Sequence, residues 1–259
     1  MENIRNVVEV MNFHSLLRID KSKRKADNYK LLEEEITTFM SQILNNKNLN
    51  LDAKLLTSNK NGVVITFYIA NDLGFCGNFN SAVKYLAKKD TTSKKIMIGE
   101  KIFLEDKNVI LNISKEEFYR SFDTIEEIIK PYLQEKKIKE INVVYNRYIT
   151  ISEIKLMTAK IFPLEVKETE ISNQDFVIES DLNMLFEDLI LFYIGCKLQI
   201  IECNSWAAEN IMRQNITDQS LKKIDELEEE HQKQERKERK YKAFKKQIAN
   251  YRRKGNNKW

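Results

Sequence analysis

The residues best placed to do chemistry lie around Asn71-Asp-Leu-Gly-Phe-Cys-Gly, between an apolar run and a short amphipathic stretch. Gly74 and Gly77 follow the run Gly62–Ala70 and precede a helical pattern over Asn80–Lys89. Backbone amides at such a turn, aimed by a helix N-terminus, are able to cradle a phosphate. The third glycine of a dinucleotide fingerprint and the Gly-Lys-Ser/Thr of a P-loop are both missing. The pair therefore reads as a tight strand-to-helix turn, in which glycine supplies positive φ. Cys76 at a helix N-terminus could be a nucleophile, but no histidine stands near it in sequence, and a packed thiol is the better reading. His14 and His231 fall on long helical stretches away from the turn, where neither a metal pair nor an acid–base pair has a pocket. Cys76, Cys196 and Cys203 form no C-x-x-C pair, which suits a reducing compartment. Most acidic residues fall on exposed helix faces. The expectation is a non-catalytic chain without cofactor or metal, in which Asp72, Gly74, Cys76, Gly77 and Asn80 are a structural turn.

The element that must position everything else is the run from Leu182 to Tyr251. It holds no proline and one glycine, Gly195, so nothing obliges a helix to stop. Ser180 stands at the N-cap position. The first half is apolar and periodic, through Leu182, Leu185, Phe186, Leu189, Ile190 and Tyr193. The second half is charged, with no strongly apolar residue from Glu228 to Lys240. A continuous helix of that length spans on the order of 100 Å, wider than a compact domain of this size. It must leave the body of the protein and meet a partner.

A second long helix is expected over residues 2–45. Ile4, Val8 and Met11, then Tyr29, Leu32, Ile36, Phe39 and Ile43, follow the 3-4 spacing of a coiled-coil seam. Between them lies the basic interruption Lys21-Ser-Lys-Arg-Lys. Residues 62–180 read as an α/β domain with a mainly parallel sheet. Its expected strands are Gly62–Ala70, Ile96–Ile98, Ile102–Leu104, Val109–Ile113, Ile141–Tyr145, and weaker ones at Tyr148–Ser152 and Phe176–Ile178. Ser114 caps a helix that runs to about Gln134 and breaks near Pro131. The expected fold class is α+β/α/β: an antiparallel coiled coil of long N- and C-terminal helices with an inserted Rossmann-like α/β domain. The segments are 1–58, 59–180 and 181–259.

Aligning the apolar seams pairs the terminal helices with partner numbers totalling about 259. Val8 then faces Tyr251, Leu32 faces Leu227, and Ile36 faces Ile224. That register sets Lys21, Lys23, Arg24 and Lys25 level with Arg236, Lys237, Arg239 and Lys240. Like charges so concentrated form a collar that calls for an anionic partner outside the chain. The 259-residue chain carries 32% charged residues, yet its net charge of +4 is too small to argue for nucleic acid. The tail Lys233–Lys258 carries twelve Lys/Arg against two Glu, but Tyr241, Phe244 and Tyr251 are spaced for a helix seam rather than base stacking. The N-terminus lacks an apolar h-region, and Leu189–Ile201 is too short to span a bilayer. A protein of the cytosol, not inserted in a membrane, is expected.

Several motifs resemble one family. GVVITFYIANDLGFCGNFNSAVKYLAKK over Gly62–Lys89 resembles a strand entering a Ser/Asn-Asp-x-Gly-x-Cys-Gly-x-x-Asn turn in the gamma subunit of rotary F-type ATP synthases. Asp72, Gly74, Cys76, Gly77 and Asn80 stand at the matching positions. VVYNRYITISEIKLMTAKIFPL over Val143–Leu164 resembles that family's Val-Tyr-Asn-x-Phe strand and its closing Leu-Pro-Leu. Glu179–Leu191, Ala207-Ala208 and Asn215–Asp218 are similar to parts of its C-terminal helix. The C-terminal Arg-Gln-x-x-Ile-Thr and N-terminal Ile-Thr-x-Ala-Met patterns are absent, which marks a divergent member. The resemblance implies a non-catalytic rotor shaft inside a hexamer of alpha and beta subunits, whose ATP sites belong to those partners. It also implies an epsilon-type subunit and a membrane ring as further partners, a location at the inner face of the cell membrane, and an acidic beta-subunit loop facing the basic collar. A static coiled-coil scaffold, or the shaft of an ATP-driven machine not coupled to proton transport, would share the physical features.

Overall fold

The computed structural model describes residues 2–46, 49, 58–74, 76–120, 122–150, 153–164, 178–179 and 181–256, with side chains given for all of these except 2 and 251–256. The chain divides into two compact units. The larger is Ser15–Arg213; the smaller joins Met1–His14 to Gln214–Trp259. Two helices run through both: α1 (Glu2–Asn45) and α5 (Leu182–Asn256).

In the larger unit, β1 (Val63–Ile69), β2 (Lys94–Ile98), β3 (Val109–Ile113), β4 (Ile138–Thr150) and β5 (Glu153–Phe162) form one sheet in the order β3-β2-β1-β4-β5. The first four are parallel, with Phe67 paired to Ile96 on one side and Val143 on the other. β5 turns back antiparallel along β4, with Tyr145 opposite Met157. β1 is a continuous apolar run because both its faces are covered. α2 (Phe79–Lys89) covers one face, where Val83 and Ala87 pack with Tyr68, Met97 and Val144. On the other face Ile65, Phe67, Ile96 and Val143 share a core with Phe118 of α3 (Lys115–Arg120) and Ile125 and Ile129 of α4 (Asp123–Gln134). The same core takes in Ile36, Met40 and Ile43 of α1 and Phe186, Ile190, Ile194, Leu198 and Ile201 of α5.

The mainly parallel sheet and the long helices agree with expectation; several local details do not. Ile102 closes a 3-10 turn, Glu100–Ile102, and is not in a strand. Ile141–Tyr145 and the first residues of Tyr148–Ser152 are parts of one thirteen-residue strand, β4. β5 was not expected: its outer positions carry Lys155 and Lys160, as an edge strand does, and blur the apolar pattern. Phe176 and Val177 lie outside the described residues, and Ile178 is not in a strand. The cap expected at Ser114 is present and takes the form of a capping box, its hydroxyl accepting from Glu117 N at 3.1 Å while Glu117 accepts from Ser114 N at 2.7 Å. The helical region divides between α3 and α4, not at Pro131, which sits within α4. Ser180 is outside the described residues; the cap of α5 is the Asp181 carboxylate, accepting from Met184 N at 2.9 Å.

α1 runs antiparallel to α5 within each unit, in a register different from the one expected. In the smaller unit Arg5 meets Asp225 at 2.8 Å and Glu228 at 3.3 Å, and Asn12 donates to Thr217 at 3.0 Å. In the larger unit Ser22 donates to the Cys203 carbonyl and Glu33 pairs with Lys197. The expected register puts Glu226 opposite Glu33, so the shift is about thirty residues, roughly four heptads. The cause is the composition of the seam. The inward face of α1 is Ser15, Ile19, Ser22, Ala26, Tyr29, Glu33, Ile36, Met40 and Ile43, so small and polar residues hold half of it. Leu32 and Phe39, expected in the seam, are 40% and 38% exposed, and Leu227 and Phe244 are exposed too. Small residues let helices approach closely, so the seam does not follow the largest apolar side chains.

Two measurements follow from this packing. Met40→Ala is expected to lower unfolding free energy by about 2–5 kcal/mol, and Leu32→Ala by less than about 1 kcal/mol; chemical denaturation of both variants checks it. Asp90 follows α2; its carboxylate accepts from Ser93 and Thr92 and, at 2.9 Å, from the Tyr68 hydroxyl. Partial burial raises the cost of its charge, but these donors outweigh that and hold its pKa down to about 2. A depressed carboxylate stabilises the fold above its unfolded pKa, near 3.8, and loses that contribution as pH falls toward 2. The stability difference between the native chain and Asp90→Asn is therefore expected to be constant from pH 5 to 7, in urea titrations, and to shrink between about pH 4 and pH 2.

Candidate functional site

The expected turn residues come together at the C-terminal end of β1, each holding a different neighbour. The Asp72 carboxylate accepts from Glu100 N at 2.8 Å and from Lys115 N at 3.0 Å, tying the turn to the loops that follow β2 and β3. Asn80 accepts from Asn71 N at 3.0 Å, and the amides of both asparagines point at Cys76 Sγ. Cys76 is 2% exposed and packs with Phe79 and Ala208 of α5. Burial pushes its thiol above the ordinary value, as it pushes Cys196 to about 11 and Cys203 to about 12, so all three are neutral packing groups. Gly77 has φ of 58°, the left-handed conformation expected of it. Gly74 does not: it has no positive φ, and a Cβ there would meet nothing within 4 Å. Its carbonyl has a role instead, accepting from Arg213 Nη2 at 3.3 Å.

That arginine belongs to a charged cluster which sequence reasoning missed. Lys115 Nζ lies 3.0 Å from Glu202 Oε1, in charge attraction without hydrogen-bond direction, and 3.2 Å from Glu209 Oε2. Arg213 donates to Glu209 at 2.6 Å and to Asn210 at 3.0 Å. The Tyr119 hydroxyl donates to Glu202 Oε2. Lys115, Glu202, Glu209 and Arg213 are all below 9% exposed. Burial alone would discharge Lys115, but the two carboxylates hold its pKa above the ordinary lysine value. Tyr119 is raised, by burial first and by Glu202 second. The available signal was a set of charges inside the apolar half of α5, at a spacing that keeps one face.

The basic clusters lie in different units. In the larger unit, Lys21, Lys23 and Arg24 are exposed and Lys25 is half-buried. Lys25 Nζ sits 3.9 Å from the centre of the Tyr119 ring and Lys23 Nζ 5.3 Å from that of Tyr148, both cation–π contacts. What stands level with them on α5 is Cys203, whose carbonyl accepts from Ser22. Arg236, Lys237, Arg239 and Lys240 belong to the smaller unit and are exposed, with Arg239 paired only loosely to Glu235 at 3.5 Å. Every residue of α5 from Glu229 to Asn250 is exposed. Among the described residues, no helix is long and apolar enough to cross a membrane.

A family model described as ATP synthase matches residues 1–243. The chain belongs to the ATP synthase gamma family. It is 26% identical over 244 residues to the ATP synthase gamma chain of Clostridium beijerinckii, covering 88% of this chain and 84% of that one. It is 26% identical over 254 residues to the gamma chain of the Wolbachia of Brugia malayi, covering 88% and 86%. A chain in the central stalk and c-ring of the Tetrahymena thermophila mitochondrial ATP synthase superposes with a TM-score of 0.58, covering 83% of this chain and 99% of that one; at 12% identity the likeness is one of fold. The gamma family is the non-catalytic central stalk, catalysis lying in beta subunits.

The two glycines separate by experiment. Gly77→Val is expected to lower stability by about 1–3 kcal/mol through backbone strain, whereas Gly74→Ala changes it by less than about 1 kcal/mol. Thermal unfolding of both variants distinguishes a turn with one strained position from a turn with two.

Proposed function

We propose that the chain is the non-catalytic central rotor shaft of an F-type ATPase or ATP synthase, turning inside a hexamer of alpha and beta subunits. In this reading α1 and α5 wind as an antiparallel coiled coil, segments 1–58 and 181–259 form the shaft, and segment 59–180 is its α/β domain. The observation that carries it is the exposed run Glu229–Asn250, a bare length of helix in the smaller unit. Tyr241, Phe244 and Ile248 recur along it at 3-4 spacing and are 59%, 59% and 39% exposed. Val7, Val10 and Phe13 of α1 are likewise exposed in the same unit. Apolar side chains left in water over such a length call for a surrounding partner. An epsilon-type subunit and a membrane ring are further partners in this reading, with the complex peripheral at the cytoplasmic face of the cell membrane. Lys21, Lys23, Arg24 and Lys25, and separately Arg236, Lys237, Arg239 and Lys240, are proposed to meet acidic partner surfaces. Charge attraction at long range suits a turning shaft, since it requires no interlocking shape.

Reconstitution with alpha and beta subunits tests this. The purified chain is expected to hydrolyse no ATP, and to join the hexamer in a single copy. Reversing Arg236, Lys237, Arg239 and Lys240 together to Glu is expected to slow association by about tenfold or more at low salt and much less at high salt. A chain that fails to join the hexamer, or that hydrolyses ATP unaided, ends the shaft reading. A reversed variant that assembles and turns over normally at low salt makes the α5 cluster a solvated face.

A further inference from the structure

The buried cluster joins four separate parts of the larger unit. Lys115 opens α3, and its backbone amide is held by Asp72 at 3.0 Å. Its ammonium reaches between Glu202 and Glu209, seven residues apart on α5 and thus about two turns along one face. Arg213 closes one end, bridging Glu209 to the Gly74 carbonyl of the turn after β1. Tyr119 closes the other, donating to Glu202 while Lys25 of α1 lies over its ring. Two cations meet two carboxylates, so the cluster is charge-balanced.

We propose that this cluster sets the rotational and axial position of α5 against the α/β domain, with Lys115 as its positioning residue. The apolar seam of α5 alone is permissive. Phe186, Ile190, Ile194, Leu198 and Ile201 repeat at 3-4 spacing, and a slide along the helix sets one large apolar side chain where another was. The charges are not interchangeable. A step of one residue turns a side chain by about 100° and moves it about 1.5 Å. That separates Lys115 from both carboxylates and leaves buried charges without partners, so alternative settings are penalised steeply. Lys115 cannot follow such a movement, because Asp72 and the Ser114–Glu117 capping box hold its backbone. Ser22 adds a fixed point on α1 through its bond to the Cys203 carbonyl. For the shaft reading, on which this consequence rests, a twisting load on α5 would enter the α/β domain through this joint; the setting itself is a property of the chain alone.

The test is pulsed electron spin resonance on the full chain, labelled at Y85C on α2 and F192C on α5. Both positions are exposed, at 57% and 54%, whereas the three native thiols are buried. The charge-balanced double variant K115M/E202Q removes one cation and one carboxylate and keeps Glu209 with Arg213. The native chain is expected to give one narrow label-to-label distribution. K115M/E202Q is expected to give at least a twofold broader distribution, or a second distance, with a melting temperature within a few degrees of native. K115R, which keeps the charge, is expected to stay narrow. A folded K115M/E202Q with the native width overturns the proposal, since packing then sets the position alone. If the double variant does not fold, Y119F decides: a broadened distribution supports the joint and a native one overturns it. These readouts need no hexamer, so failure to assemble would count against the shaft reading and leave the joint standing.

Discussion

The fold depends on α5, a helix exposed from Glu229 to Asn250 and enclosed on nearly every side between Leu198 and Ile211. Between Leu198 and Ile211, α5 is covered by the sheet, by α1, and by the turns after β1 and β3, and only Asn204 and Trp206 are more than slightly exposed. A helix enclosed on all sides has no free face for its polar residues. Glu202, Glu209 and Arg213 are nevertheless there, at 0%, 5% and 5% side-chain exposure. They are tolerable only because Lys115 completes their charge balance. Removing one member of such a buried set typically costs about 3–5 kcal/mol, because the charge left behind has no partner. An apolar set of equal volume would fold as well or better, so the charges are poorly explained by stability. They are better explained as a device that admits one arrangement.

What was legible in the sequence was what local rules control. The β1 run, the glycine turn and α2 all follow from apolar continuity, a strained glycine and an amphipathic period, each contained within a few residues. The family motif lay in that same stretch, where Asp72 secures the loop after β2 and the amides of Asn71 and Asn80 close the turn on Cys76. What was not legible depended on partners distant in the chain. β5 hides its alternation behind edge lysines. Asp72 and Lys115 are forty-three residues apart and meet only through a backbone amide. Lys115 itself looks like any surface lysine at a helix start until Glu202 and Glu209 are placed beside it.

The register of α1 against α5 shows the same limit more sharply. Matching large apolar residues is sound where a seam is made of leucine and isoleucine. Here Ser15, Ser22 and Ala26 are buried, and Leu16, Leu17 and Leu31 are exposed. The polar stretch around Lys21 resembles a gap in the seam because its buried residues, Ser22 and Ala26, are small. The gap is where the helices are joined by a hydroxyl-to-carbonyl bond and where the ammonium groups of Lys23 and Lys25 lie over tyrosine rings. Two of the four N-terminal cluster residues are therefore partly committed within the chain, which leaves Lys21 and Arg24 as the freer charges.

The two kinds of charge in this protein do opposite work. Charges with low exposure act at short range in low dielectric, and a displacement that parts them leaves a buried charge without its partner. Charges at high exposure, such as Arg236 to Lys240, act through water over distances of about 10 Å and are indifferent to small displacements. A part that must hold its own domain rigidly while moving past its neighbours requires both properties, in different places. In this chain the first kind is concentrated where α5 passes through the α/β domain, and the second where α5 is bare. A static scaffold would have use for the first and no reason to leave α5 exposed from Glu229 to Asn250. The distribution of charge along one helix, rather than its net value of +4, is what favours a shaft.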